Sequence, residues 1–132
     1  MSEPRIWVIE DNDQNFELVD YLLGEAGYDV ARARDASEIA GLLAGTPPAL
    51  VLLDMNLPSG SGLDVLANLR ADPRSRRAPV VALTAHAMRG DRERFLAAGC
   101  DGYISKPIEA GPFLAVVASF LRPRPPGGGV ER

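Results

Sequence analysis

The 132-residue chain has one cysteine, Cys100, so it can form no internal disulfide, and that favours a reducing compartment. Its apolar runs fall well short of the ~18 residues that suggest a membrane span. Met1-Ser2-Glu3-Pro4 lacks the basic start and apolar stretch of a secretory signal. The expected location is therefore cytoplasmic, with no membrane partner. Basic residues are scattered rather than massed on one element, and the net charge is −4 with a pI near 4.9, so direct nucleic-acid binding has no electrostatic footprint. The length fits one domain with a single core. A hydrophobic fraction of 46% with 24% charged residues is ordinary for a globular protein.

Strand and helix signals alternate along the chain. Ala49 to Leu53 is an unbroken apolar run that ends on the carboxylate of Asp54, as expected of a central strand covered on both faces. Arg5 to Ile9 is a strand closing on the acidic loop Glu10-Asp11-Asn12-Asp13. Asn12 or Asp13 caps a helix that ends at Gly27, with Asn15, Leu18, Val19, Leu22 and Ala26 on its core side and Phe16 and Leu23 on a half-covered shoulder. The polar alternation of Tyr28 to Ala33 predicts a strand nearer an edge. Asp35 and Glu38 have capping-box spacing ahead of a helix burying Ile39, Leu42 and Leu43. A third helix starts at Gly60 or Ser61 and runs to Asp72-Pro73, followed by a loop from Arg74 to Ala78. Pro79 to Leu83, ending in Thr84-Ala85, is a second fully apolar strand; a helix from Arg89 to Ala98 stops at Gly99. Gly102 to Ser105 is a short fifth strand before Lys106-Pro107. The last helix, about Pro112 to Leu121, carries apolar residues almost all round its axis and so needs deep burial or a partner.

Five strands alternating with five helices give an α/β fold with a parallel sheet. Right-handed crossovers put every strand's carboxyl end on one edge, where ligands of open α/β sheets bind. Glu10, Asp11, Asp54, Thr84 and Lys106 collect there. Three carboxylates in one cleft raise one another's pKa unless a cation lies among them. Oxygen donors without His or Cys select a hard cation, and few carboxylates with room for water suit Mg²⁺ better than a full Ca²⁺ cage. Mg²⁺ suggests phosphoryl transfer, with Asp54 as nucleophile and the Lys106 ammonium neutralising the transferring group.

Val8-Ile9-Glu10-Asp11-Asn12, Leu52-Leu53-Asp54-Met55-Asn56-Leu57-Pro58, Leu83-Thr84-Ala85 and Tyr103-Ile104-Ser105-Lys106-Pro107 occur in that order. In these four motifs the chain resembles a response-regulator receiver (CheY-like) domain from about Arg5 to Leu121, and is similar to stand-alone receivers that control bacterial cell division. The resemblance implies a doubly wound (βα)5, flavodoxin-like fold with a five-stranded parallel sheet in order 2-1-3-4-5. It implies that Asp54 accepts a phosphoryl group from a histidine kinase or histidine phosphotransferase. Mg²⁺ would be held by Asp11, Asp54 and the main-chain carbonyl of Asn56, with Glu10 acting through a water. Lys106 would pair with the phosphoryl group and Thr84 would turn its hydroxyl onto it, while Tyr103 swings inward as Thr84 moves. A cis bond between Lys106 and Pro107 belongs to the same pattern. The chain departs from the commonest pattern at Glu10, where many receivers have Asp. Asn56 and His86 occupy places that influence phosphoryl hydrolysis in the family.

The implied output is phosphorylation-dependent binding to a downstream protein target, with a homodimer through helix four, strand five and helix five as a further expectation. Residues 1–4 read as an N-terminal extension, 5–121 as the receiver domain, and 122–132 as a disordered Pro/Gly-rich tail without an output domain. The chain is then a phosphoacceptor switch in a two-component phosphorelay and no enzyme beyond its own phosphorylation and slow dephosphorylation. Taken singly, the acidic loop is an ordinary helix cap, Lys106 a surface residue and Thr84 strand packing; only their placement on one edge favours a site. Trp7 and Cys100 read as core, His86 as a surface or loop residue. Three other functions compete: a receiver that docks unphosphorylated, a haloacid-dehalogenase-type phosphatase, and a flavodoxin-like FMN carrier. The intact five-residue set opposes the first. Asn56, where the phosphatase resembles Asp-x-Asp, opposes the second, and the phosphate-repelling acidic loop opposes the third. Phe16 with Leu23, and the apolar last helix, mark the expected partner surfaces.

Overall fold

A computed structural model describes residues 4–56, 62–85 and 89–121. Strands β1 (Arg5–Ile9), β2 (Asp29–Ala33), β3 (Leu50–Asp54), β4 (Val80–Thr84) and β5 (Gly102–Ser105) alternate with helices α1 (Asp13–Glu25), α2 (Ile39–Leu43), α3 (Gly62–Ala71), α4 (Arg89–Ala98) and α5 (Ala110–Leu121). All strand pairs are parallel, in the order β2-β1-β3-β4-β5. The doubly wound order is the expected one, and β2 lies at an edge as its polar alternation requires.

Alternate side chains of the central strands feed two separate cores. Ile6, Val8, Leu50, Leu52, Val81 and Leu83 pack with Val19 and Leu23 of α1 and Phe113 and Val117 of α5. Trp7, Ile9, Val51, Leu53, Val80 and Ala82 pack with Ile39 of α2, Val65, Leu66 and Leu69 of α3 and Phe95 of α4. Both faces of β1, β3 and β4 are therefore dry, which is why these runs show no polar alternation. Cys100 and Trp7 belong to the second core, as expected. Burial pushes the Cys100 thiol up to about 11, so it is protonated and inert near neutral pH.

Two glycines end helices in the left-handed region, Gly27 at φ 91° after α1 and Gly99 at φ 119° after α4. Both conformations penalise any residue with a Cβ. Asn12 caps α1 by accepting from the Asn15 amide at 2.9 Å. Glu38, expected to complete a capping box, instead accepts from the Arg34 amide at 2.7 Å, and the turn Ala36–Glu38 that Asp35 opens is 3-10 rather than α-helical. α5 begins two residues before Pro112, placing that proline in the first turn, where a missing N–H costs no helical bond.

Helix α1 is rotated from its expected orientation. Leu23, expected on a half-covered shoulder, is fully buried with Val19, whereas Leu18 is 41% exposed and Ala26 lies at the surface. Apolar residues occupy a wide arc of this helix, so periodicity leaves the centre of the buried stripe open; packing against Phe113 and Val117 of α5 selects the 19/23 line. The partner surface expected at Leu23 is thus interior. In α5 only Phe113 and Val117 are fully buried, and Leu114, Val116, Phe120 and Leu121 are half covered. The expected helix start at Gly60 or Ser61, His86, and the tail 122–132 lie outside the described residues.

Candidate metal and phosphoacceptor site

The sheet's hydrogen bonding runs one step past the strands and so carries the site residues to a common edge. The Glu10 amide donates to the Ala33 carbonyl at 3.0 Å, the Met55 amide to Leu83 at 3.0 Å and the Lys106 amide to Thr84 at 2.8 Å. Glu10, Asp54 and Lys106 are therefore held by the ladder itself, not by free loops. Between β1 and α1 the chain turns sharply: Asn12 caps the helix, and its own amide donates to Glu10 Oε2 at 3.1 Å.

Glu10, Asp11 and Asp54 each offer a carboxylate oxygen within 4.8 Å of the others. Glu10, Asp54 and Thr84 are buried, at 1%, 3% and 1% exposure, and Asp11 is half-buried. The Lys106 ammonium donates to Glu10 Oε1 at 3.1 Å and lies 3.4 Å from Asp54 Oδ2, while Asp54 Oδ1 accepts from the Asn56 amide at 2.9 Å. One ammonium faces three carboxylates, so the cleft keeps an excess of negative charge. Its consequence shows at Glu10, whose carboxyl pKa is raised above the ordinary value by burial first and then by the adjacent Asp54; the Asn12 amide and Lys106 offset this in part. A buried all-oxygen set with uncompensated negative charge, open to Asp11 and the exposed Asn56, suits a hard divalent cation of the Mg²⁺ type.

All five residues expected at the sheet edge lie at the carboxyl ends of β1, β3, β4 and β5. Tyr103 sits on β5 with its hydroxyl buried and without a hydrogen-bond partner among the described residues. The Lys106–Pro107 peptide is cis.

Sequence reasoning missed Arg32 and Gly62. Arg32, on β2 opposite Val8, reaches over the β1–α1 loop. A basic residue near the end of the strand beside an acidic loop was the available signal. Gly62 lies so close to the β3 exit that a Cβ there would stand 2.6 Å from Met55 Cα and 3.1 Å from the Asp54 carbonyl oxygen. Nothing in the sequence announces that approach.

A doubly wound parallel sheet that gathers three carboxylates and one lysine outside the carboxyl ends of its strands has them where open α/β proteins bind their ligands. The sequence profile of the response regulator receiver domain matches residues 6–118, and the chain belongs to that family. It is a response regulator of the two-component phosphorelay type. It is 40% identical over 116 residues to the polar-differentiation response regulator DivK of Brucella anthropi, covering 88% of this chain and 94% of that protein. Among solved structures, the receiver domain of the sensor histidine kinase PA1611 from Pseudomonas aeruginosa PAO1 superposes with a TM-score of 0.81 at 29% identity, over 91% of this chain and 98% of that one. That structure has a magnesium ion coordinated in its active-site cleft. The chemotaxis response regulator CheY4 of Vibrio cholerae shares the fold, with a TM-score of 0.83 at 21% identity over 91% of this chain and all of that one. No helix among the described residues is long and apolar enough to cross a membrane.

Proposed function

We propose that Asp54 is the phosphoacceptor of this receiver and that the cleft works with bound Mg²⁺. The single observation that carries this is the convergence of three carboxylates within 4.8 Å beside one ammonium at 3.1 and 3.4 Å. Asp11, Asp54 and the Asn56 carbonyl would hold the ion, with Glu10 contributing through a water. Bound there, Mg²⁺ supplies Lewis-acid neutralisation of the phosphoryl oxygens. A carboxylate oxygen of Asp54 attacks the phosphorus of a phosphohistidine; the new P–O bond forms as the N–P bond breaks, and the imidazole nitrogen leaves with that bond's electron pair. Lys106 would pair with the incoming phosphoryl group, and Thr84, buried at the end of β4, would donate its hydroxyl to a phosphoryl oxygen. Tyr103 on neighbouring β5, whose hydroxyl is buried, would complete the switch.

The donor is a histidine kinase or histidine phosphotransferase, and the output is binding to a downstream protein or to a second copy through α4, β5 and α5. A groove lined by Arg92, Leu96, Tyr103 and Val116 runs along that face. The chain acts as a cytoplasmic switch without turnover of an external substrate, on the single-receiver plan of the DivK proteins, which it matches over 94% of their length. Incubation with acetyl phosphate should put one base-labile phosphoryl group on the wild type in Mg²⁺ and none in EDTA. The Asp54→Asn variant should take none; equal labelling of that variant would overturn the assignment.

A further inference from the structure

Arg32 is fixed from several sides at the rim of the cleft. Its Nε donates to the Glu10 carbonyl at 3.1 Å, and one terminal nitrogen donates to the Asp11 carbonyl at 3.3 Å and to Asp13 Oδ1 at 2.9 Å. The Phe16 ring lies 4.4 Å beneath the guanidinium carbon. The fork thus joins edge strand β2 to the main chain of the two consecutive acidic residues that lead into the site. A planar guanidinium holds two carbonyls and a carboxylate in one fixed fork, a geometry that the rotatable donors of an ammonium on a flexible stem do not fix.

We propose that Arg32 is a positioning residue for the metal site. By holding the main-chain oxygens of Glu10 and Asp11 towards β2, it fixes the course of the loop from which both carboxylates reach Asp54. The loop is then ordered before a cation arrives, so binding does not have to supply that ordering. This rests on the reading that Glu10, Asp11 and Asp54 hold Mg²⁺. Arg32 also exerts an opposite effect, because a cation close to a cation site repels its ligand. Asp13 counters that repulsion, its exposed carboxylate pairing with Arg32 at 2.9 Å and with Arg34 at 2.8 Å. The two effects predict opposite signs for removal of the guanidinium: loss of positioning weakens Mg²⁺ binding, whereas relief of repulsion tightens it.

Isothermal titration of the full chain with MgCl₂ decides between them, alongside amide exchange of residues 10–13 and thermal melting in EDTA. Arg32→Met should raise the Mg²⁺ Kd about tenfold or more, the usual scale for residues that orient metal ligands. It should also speed exchange of the loop amides in the metal-free protein. Arg34→Met, which removes only a guanidinium bound to Asp13, should change the Kd less than about twofold, and Arg32→Lys should fall between Arg32→Met and the wild type. Wild-type or tighter Mg²⁺ binding by Arg32→Met overturns the proposal. Should that variant melt too low to titrate, wild-type affinity and wild-type loop exchange in Arg32→Lys overturn it instead. Wild-type protein that binds no Mg²⁺ would overturn the underlying site reading as well, and is distinguished by needing no variant.

Discussion

The two edges of the sheet hold their charges in opposite ways. At the amino ends of β4 and β5, Arg70 from the last turn of α3 donates to the carbonyls of Arg76 at 3.0 Å, Ala78 at 2.6 Å and Gly99 at 2.8 Å, and pairs with Asp101 Oδ2 at 2.7 Å. The same Asp101 oxygen accepts from the Val80 amide at 2.9 Å, and buried Ser75 donates to the Leu69 carbonyl at 2.7 Å. Arg70 and Asp101 answer each other there, and the two loops that lead into β4 and β5 are tied to one guanidinium. In the cleft at the carboxyl edge one ammonium stands against three carboxylates, Arg32 and Arg34 at the rim being paired with Asp13, and burial together with Asp54 raises the Glu10 pKa. The first edge balances within itself; the second keeps an excess of negative charge that the proposed cation would offset. Polar side chains of the same kinds make a staple in one place and a receptor in the other, and the difference is the sign and size of the residual charge.

That contrast can be broken most forcefully at Arg70. Arg70→Met leaves three carbonyls without this donor and Asp101 with only the Val80 amide, and should lower stability by about 2–4 kcal/mol, on the scale of lost charge-assisted bonds. Urea unfolding in EDTA measures it, and the Mg²⁺ affinity should stay at the wild-type value. Adding Mg²⁺ at about 100 times its Kd should raise the stability of wild type and Arg70→Met equally, by about 2.7 kcal/mol. A much smaller gain in Arg70→Met would show that the two edges are coupled. Gly62→Ala forces Met55 and the Asp54 carbonyl to move, with an expected loss of about 1–3 kcal/mol from overpacking. Unlike Arg70→Met, it should also weaken Mg²⁺ binding, because Asp54 shifts with its own backbone.

The smallest effect should carry the opposite sign. Because the folded-state pKa of Glu10 lies above the ordinary 4.5, the folded protein binds this proton more tightly than the unfolded chain does. Its contribution to metal-free stability is complete below the ordinary value and is lost as pH rises through the raised one. Glu10→Gln should remove that decline, so in EDTA near neutral pH the variant should melt slightly higher than wild type while binding Mg²⁺ more weakly. Melting curves in EDTA from about pH 4 to about pH 8 test it. A variant that melts lower at neutral pH would show that the Lys106 pair outweighs the burial of the Glu10 charge.

Much of this was legible in the residues. Period and punctuation located all five strands, because Leu50 to Leu53 and Val80 to Leu83 are apolar without a break and Gly27 and Gly99 sit where the left-handed region requires them. Parallel topology then carried Glu10, Asp11, Asp54, Thr84 and Lys106 to one edge before any distance was known. The buried line of α1 was not legible, since Phe16, Leu18, Val19, Leu22 and Leu23 present apolar groups over a wide arc and only the neighbouring α5 chooses among them. Arg32 escaped notice for a related reason. Its partners are main-chain carbonyls, and a carbonyl leaves no mark in a sequence.

Lys106 is the single lysine among fourteen basic residues. Wherever the described structure needs a cation to grip several acceptors at fixed angles, at Arg32, Arg70 and Arg74, it uses a guanidinium. In the cleft, where the proposed phosphoryl group would come and go, it has an ammonium. The chain consequently carries one side-chain primary amine, and that amine lies in the cleft, so an amine-directed reagent can report on the cleft without protein engineering. Its reaction rate at Lys106 becomes a direct gauge of how fully the cleft is occupied.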